Sequence, residues 1–310
     1  MNGSINTNIS AMTALKSLQM TNVNLEEAQN RISTGLRVSE AADNAAYWSI
    51  ATTMRSDNKA LSTVQDALGL GQAKVDIAYT GLNAAIDVVD EIKSKLVAAR
   101  EPGVDRSKIQ SEIAQLQGQL TSIADSSSFS GENWLSISHD VTADGALSAD
   151  VVSSFTRSGA NVSVGTLSIT VSSITLFNAD ADAASVGLLD TQFTTTGAGA
   201  VTTSVSALDI TAANVDDTDI DEMISAADTA VQSMTTAAAD LGATKSRIEM
   251  QNDFIGNLMS AIDRGVSALV DADMSAESTR LSALQTQQQL GIQSLSIANS
   301  SAQSILALFR

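Results

Sequence analysis

Cysteine is missing from all 310 residues, and histidine and proline occur once each. Without cysteine there are no disulfides, no thiolate catalysis and no Cys-ligated metal centre. With His139 the only imidazole, the usual zinc sites and Ser–His or Cys–His nucleophile pairs lack their parts. The lone proline, Pro102, leaves room for long uninterrupted helices. Aromatic residues make up 3% of the chain, so large stacking anchors are scarce. Basic residues are outnumbered: 17 Lys and Arg stand against 35 Asp and Glu, a net charge of −18. So acidic a chain is repelled by nucleic acid and anionic lipid, which sets both aside as partners. No run approaches about 18 consecutive apolar residues, so no spanning helix is expected. The opening MNGSINTNIS has neither the basic nor the apolar region of a cleavable secretory signal.

What the chain does have is helical periodicity. From Ile50 to Ala99 a strict 4,3 spacing meets apolar residues at thirteen of fifteen positions. Such a heptad seam predicts one long coiled-coil helix. Pro102-Gly103 then stops it, and Ile109, Ile113, Leu116, Leu120 and Ile123 open a second stripe. A link this short implies an antiparallel hairpin. From Ile220 to Leu269 the spacing again finds thirteen apolar positions of fifteen. The fold class expected is therefore mainly α, a long helical bundle or coiled coil formed by the N- and C-terminal halves. A small β-rich insertion interrupts it. Between Lys108 and Lys245 the only Lys or Arg is Arg157, and Ser, Thr, Gly, Ala and Asp dominate. There Val162, Val164, then Leu167, Ile169, Val171, then Ile174, Leu176 alternate with polar residues, as do Val201, Thr203 and Val205, then Leu208 and Ile210. These read as short half-buried strands.

The ends carry the most information. One seam runs Ala11, Leu15, Leu18, Asn22, Leu25, Gln29, Ile32, Leu36. The other runs Leu281, Leu284, Gln288, Gly291, Leu295, Ala298, Ala302, Ile305, Phe309. No charge occurs from Leu281 to Phe309, 29 residues of which 14 are apolar. Leu290, Ile292, Ile297 and Leu306 fall off that seam, on a second face. A solvated helix face normally carries charge, and one apolar or neutral on most sides expects cover on most sides. Both ends are therefore expected to be buried between copies of the protein, with Asn, Gln and Ser supplying interchain hydrogen bonds; the alternative is that the two ends simply pair with each other inside one subunit.

Other motifs point to packing rather than chemistry. Gly69-Leu70-Gly71-Gln72-Ala73-Lys74 lacks Walker spacing and lies inside a helical seam. His139 reads as a loop histidine. Asp216, Asp217, Asp219, Asp221 and Glu222 read as the acidic first turn of a helix with Thr218 as N-cap; calcium is the alternative, although the EF-hand spacing is missing. Asp271 and Asp273 read as a junction, with Ser275 or Asp273 capping the last helix. No cofactor or metal is expected.

Both ends carry distinctive motifs. Towards the N-terminus these are Ile5-Asn6-Thr7-Asn8, Arg31-Ile32-Ser33-Thr34-Gly35-Leu36-Arg37, Ala41-Ala42-Asp43-Asn44-Ala45-Ala46 and Ile50-Ala51, with Phe129-Ser130-Gly131 further on. Towards the C-terminus they are Leu241-Gly242-Ala243, Asp271-Ala272-Asp273-Met274, Glu277 and Ile305-Leu306-Ala307-Leu308-Phe309-Arg310. Together they resemble those of bacterial flagellin, the filament subunit of the flagellum, over about residues 1–135 and 218–310. Tyr47-Trp48 is similar to flagellins of soil- and plant-associated alphaproteobacteria.

The resemblance implies a secreted, extracellular, non-enzymatic protein that self-polymerises into the swimming propeller. It implies type III export, an export chaperone, cap and hook-junction partners, and other flagellins in a mixed filament. It divides the chain into an inner coiled-coil domain (1–42 and 269–310), a helical-bundle domain (43–135 and 216–268) and an exposed variable insertion (136–215). The subunit interface would draw on Leu15, Leu18, Asn22, Leu25, Gln29, Ile32, Leu284, Gln288, Leu295, Ala302, Ile305 and Phe309. Two segments correspond to epitopes of host receptors: Arg31, Gly35, Asp43, Asn44, Tyr47 and Trp48 in one, Glu91 and Lys93 in the other. Departures at Asn44, Tyr47, Trp48, Glu91 and Lys93 imply weak sensing. A hook–filament junction protein shares such terminal helices and is the first alternative. An enzyme displayed on the scaffold is the second, and it lacks a catalytic constellation.

Overall fold

The computed structural model describes residues 8–138, 147–159, 161–179, 187–198, 200–213 and 215–308, the stretch 302–308 by backbone alone. His139 and Phe309 lie outside the described residues, as do the side chains of Ala302 and Ile305. Five long helices dominate: α1 (Ile9–Thr34), α2 (Ala45–Ala99), α3 (Arg106–Ser126), α4 (Asp217–Val270) and α5 (Met274–Leu308). The chain forms two compact units, Ala60–Leu258 and the pair Met1–Lys59 with Met259–Arg310.

In the central unit the α2 seam is buried as its spacing predicts. Leu68, Val75, Leu82, Ala85, Val89, Ile92 and Leu96 are all inaccessible to solvent. Each large one contributes about 1.5–3 kcal/mol relative to exposure. Ile113 and Leu120 of α3 and Ile220, Met234 and Ile248 of α4 complete the core. Between α2 and α4, Lys93 pairs with Asp228 at 2.5 Å, Asp76 with Lys245 at 2.7 Å and Arg100 with Asp221 at 2.9 Å. As one residue number rises the other falls by the same amount, the signature of an antiparallel register. Lys95 and Glu112, 2.9 Å apart, tie α2 to α3. Gly103, at φ +93°, makes the reversal between them, and the Asp105 side chain caps α3 by accepting from Ser107 N.

The insertion holds one long antiparallel hairpin, β4 (Ser148–Ser158) with β5 (Asn161–Thr170). The other strands are two residues each: β1 (Ser128–Phe129) with β2 (Glu132–Asn133), β3 (Ser136–Ile137) parallel to β6 (Phe177–Asn178), and β7 (Phe193–Thr194) with β8 (Thr202–Thr203). Leu208 and Ile210, expected in a strand, lie in none. The alternation is real, because both are buried, but a side chain takes the place of a neighbouring strand. Gln110 Nε2 donates to Leu208 O at 3.0 Å, and Ile210 N donates to Gln110 Oε1 at 2.9 Å.

The N-cap of α4 is Asp216, not Thr218. Its Oδ1 accepts from Thr218 N and Asp219 N at 2.9 and 3.0 Å, while Asp219 Oδ2 accepts from Asp216 N at 2.9 Å. This reciprocal box prefers an acceptor three residues before its partner, a place Thr218 cannot fill. The backbone N–H groups of Asp219 and Ala198 hold the Asp216 carboxyl below the usual carboxylate range. The rest of the acidic cluster is engaged by the chain's own donors. Arg106 reaches Asp217 at 2.5 Å, and Thr196 N donates to Glu222 Oε2 at 2.6 Å.

Candidate functional site

The terminal unit is built on a pair of antiparallel helices, α1 and α5. Asn8 caps α1 through its side-chain oxygen, which accepts from Ala11 N at 3.0 Å. Gly35, at φ +72°, ends it in a left-handed turn that favours glycine. Asp273 caps α5, its Oδ1 accepting from Ser275 N and Ala276 N at 2.9 and 3.1 Å. Between these caps the helices touch at Asn8 and Ala298 (2.9 Å), Asn22 and Gln288 (2.8 Å) and Arg31 and Glu277 (3.1 Å). Gly291 lies against Leu18, whose Cδ1 stands 3.1 Å from where a glycine Cβ would be.

On α5 the buried and half-buried positions are Glu277, Leu281, Leu284, Gln288, Gly291, Leu295 and Ala298, the seam the spacing predicts. On α1 they include Ala11, Ala14, Leu18, Thr21, Leu25, Ala28 and Ile32. Three expected members, Leu15, Asn22 and Gln29, are exposed, and the small residues one position earlier take their places. The physical reason is the close approach of two backbones: Ala28 is 1% exposed, and a larger side chain there would push the helices apart. At the seam Asn22 Oδ1 accepts from Gln288 Nε2 within one chain.

The pair leaves a second apolar surface. At 100° per residue, Ile9, Met12, Met20 and Val23 fall on the side of α1 opposite its seam, and all four are exposed. Leu290 and Ile297 do the same on α5, and Ile297 is 68% exposed. Lys16 is the only charge on that side of α1 between Ile9 and Val23. Sequence reasoning singled out Leu290 and Ile297 as off-seam residues but passed over Ile9, Met12, Met20 and Val23; their 3- and 4-residue spacing was the available signal.

Beside the pair, Leu36 bridges to Asp271, and Val38, Ala51, Val266 and Val270 close a small core. The epitope-like residues have structural work here. Arg31 pairs with Glu27 and Glu277. Asn44 caps α2, accepting from Tyr47 N at 3.1 Å. Asp43 Oδ2 accepts from Ser39 N and Glu40 N at 2.9 and 3.2 Å, and these backbone donors lower its pKa. Tyr47 and Trp48 are exposed. In the central unit Glu91 pairs with Lys95 at 3.4 Å and Lys93 with Asp228. Among the described residues no helix is long and apolar enough to cross a membrane.

Two family models match the chain. One, the bacterial flagellin N-terminal helical region, covers residues 5–140. The other, the bacterial flagellin C-terminal helical region, covers residues 224–309. Flagellin C of Rhizobium meliloti (strain 1021) is 52% identical over 321 residues, spanning 99% of each chain. Flagellin of Brucella melitensis biotype 1 is 47% identical over 308 residues, again 99% of each. Flagellin A of Rhizobium meliloti is 44% identical over 396 residues, 99% of this chain and 100% of that one. Matched at both helical ends by the family models and along its length by these relatives, the chain belongs to the bacterial flagellins, the structural subunits of the flagellar filament.

Proposed function

We propose that this subunit polymerises through α1 and α5, and that their outward apolar surfaces are covered by neighbouring copies. One observation carries this reading: Ile9, Met12, Met20, Val23, Leu290 and Ile297 are exposed on the far sides of helices already paired with each other. Apolar stripes facing away from a satisfied seam mark interaction surfaces. Leu15, Asn22 and Gln29, exposed along the flank of the α1 seam, add a second edge open to neighbouring copies. Leu18, Leu25, Ile32, Leu284, Gln288 and Leu295 then shape it from within by holding the pair. Ala302, Ile305 and Phe309 continue the spacing.

On this reading residues 1–42 and 269–310 form the inner coiled-coil layer, 43–135 and 216–268 the bundle around it, and 136–215 the outer surface. The subunit is secreted and acts outside the cell, served by an export chaperone, a cap and hook-junction proteins, and it joins other flagellins in mixed filaments. Weak recognition by host receptors follows from Tyr47, Trp48 and Glu91. Electron microscopy of seeded protein tests the assembly, with full-length chains compared against chains lacking 1–42 and 269–310. Full-length protein extends the seeds, whereas trimmed protein stays helical and monomeric. Growth of the trimmed protein would refute the proposal.

A further inference from the structure

We propose that Met12 and Met20 form an oxidation-sensitive site that decides whether a free subunit can join the filament; the inference rests on the assembly reading above. Of the nine methionines, Met223 and Met234 are inaccessible in the core, while Met12 and Met20 are 56% and 60% exposed. Both lie on the outward stripe of α1 with Ile9 and Val23, where a thioether is an adaptable apolar contact for a neighbouring copy. Before assembly both sulfurs are open to a peroxide. The sulfur lone pair attacks one peroxide oxygen, an S–O bond forms and the O–O bond breaks. The sulfur gives up two electrons, and the peroxide leaves as water after proton transfer. The product is a sulfoxide, polar and chiral where an apolar side chain stood. Covering it without a donor for its oxygen carries a desolvation cost, so oxidised subunits are selected against at the growing end. In the filament the same sulfurs are covered and protected. Methionine sulfoxide reductases reverse the change.

The test treats full-length monomer with limiting hydrogen peroxide, maps the oxidised methionines by mass spectrometry and measures the critical concentration for growth on seeds. The expected result is oxidation at Met12 and Met20 ahead of Met223 and Met234, and a rise of about tenfold or more in critical concentration. Reduction by sulfoxide reductases of both stereospecificities restores growth. The same peroxide applied to finished filaments leaves Met12 and Met20 unoxidised. The double variant M12L, M20L keeps the volume and apolar character of both sites and loses the peroxide response: whatever its untreated critical concentration, peroxide leaves it unchanged. Met250, 62% exposed on α4, is the control, and M250L stays sensitive. If M12L, M20L remains sensitive, or oxidised wild-type protein grows unchanged, the proposal fails. If untreated wild-type protein does not extend seeds, the assembly reading fails instead.

Discussion

Two glycines two residues apart show how much the environment of a single residue decides. Gly69 and Gly71 both lie within α2. A methyl group on Gly71 would overlap the side chain of Val151, whereas one on Gly69 would meet nothing within 4 Å. Alanine is the better helix former at either place by about 0.8–1 kcal/mol. Gly69→Ala should therefore raise stability by about that amount. Gly71→Ala should lower it by about 1–2 kcal/mol, because overpacking a stiff β-branched neighbour outweighs the helical gain. Urea unfolding of the two variants measures the difference. Asp43 gives a pH dependence. Its folded pKa lies below the ordinary 3.8, so its charge stabilises the fold above the unfolded value, and that support is lost as pH falls through the folded one. Asp43→Asn should melt below wild type at neutral pH, with the gap narrowing as pH falls below the ordinary carboxylate value of 3.8; a gap that does not narrow on acidification would contradict this. Residues of this kind were partly legible in the sequence. Asp273 was read as one of two cap candidates because Asp before a helical run is a strong local signal. Asp216 was missed because five acids crowd into seven positions, and only the paired backbone hydrogen bonds single one out.

Among the elements, α2 and α4 were legible because apolar residues repeat at 4,3 spacing and, from Met54 and Ile220 onward, the structure buries or half-buries them in that order; Ile50 itself is 49% exposed, and on α5 the spacing holds from Leu281 to Ala298. The α1 seam was read at the wrong residues in three places. Spacing templates weigh large apolar side chains, but two helices in close contact select small ones, so Ala14, Thr21 and Ala28 pack where Leu15, Asn22 and Gln29 were expected. The insertion hid its topology for a different reason: alternation reports burial, and at Leu208 and Ile210 the hydrogen-bond partner is Gln110, a glutamine on a helix. The α1–α5 pair also contains a charge that depends on its partner. Glu277 is 9% exposed, its Oε1 accepts from Arg31 Nη1, and its Oε2 has no partner. Arg31→Ala should cost about 2–4 kcal/mol, because it leaves this carboxylate only the longer approach of Arg280 at 3.9 Å. Glu27→Ala, at the exposed end of the same ion pair, should cost less than about 1 kcal/mol. Thermal unfolding followed by circular dichroism separates them, and equal losses would show that Arg31 acts only as a surface ion pair.

For the whole molecule, the long helices and the family membership suit a structural subunit of the flagellar filament. The family membership and the exposed stripes converge on assembly from independent directions, one from sequence likeness and one from physical accounting of apolar surface. The stripe on α1 is the sharper of the two, because it makes a distinction that likeness alone does not. Residues facing α5 should govern the stability of the subunit, and residues facing away should govern its polymerisation.

The most direct test is the double variant Met20→Lys, Val23→Lys, compared with wild type for monomer melting and for growth on filament seeds. Both side chains are exposed in the subunit, so monomer stability should change by no more than about 0.5 kcal/mol. Growth should stop, because two ammonium groups would have to be buried without partners. Normal growth by this variant would contradict the account.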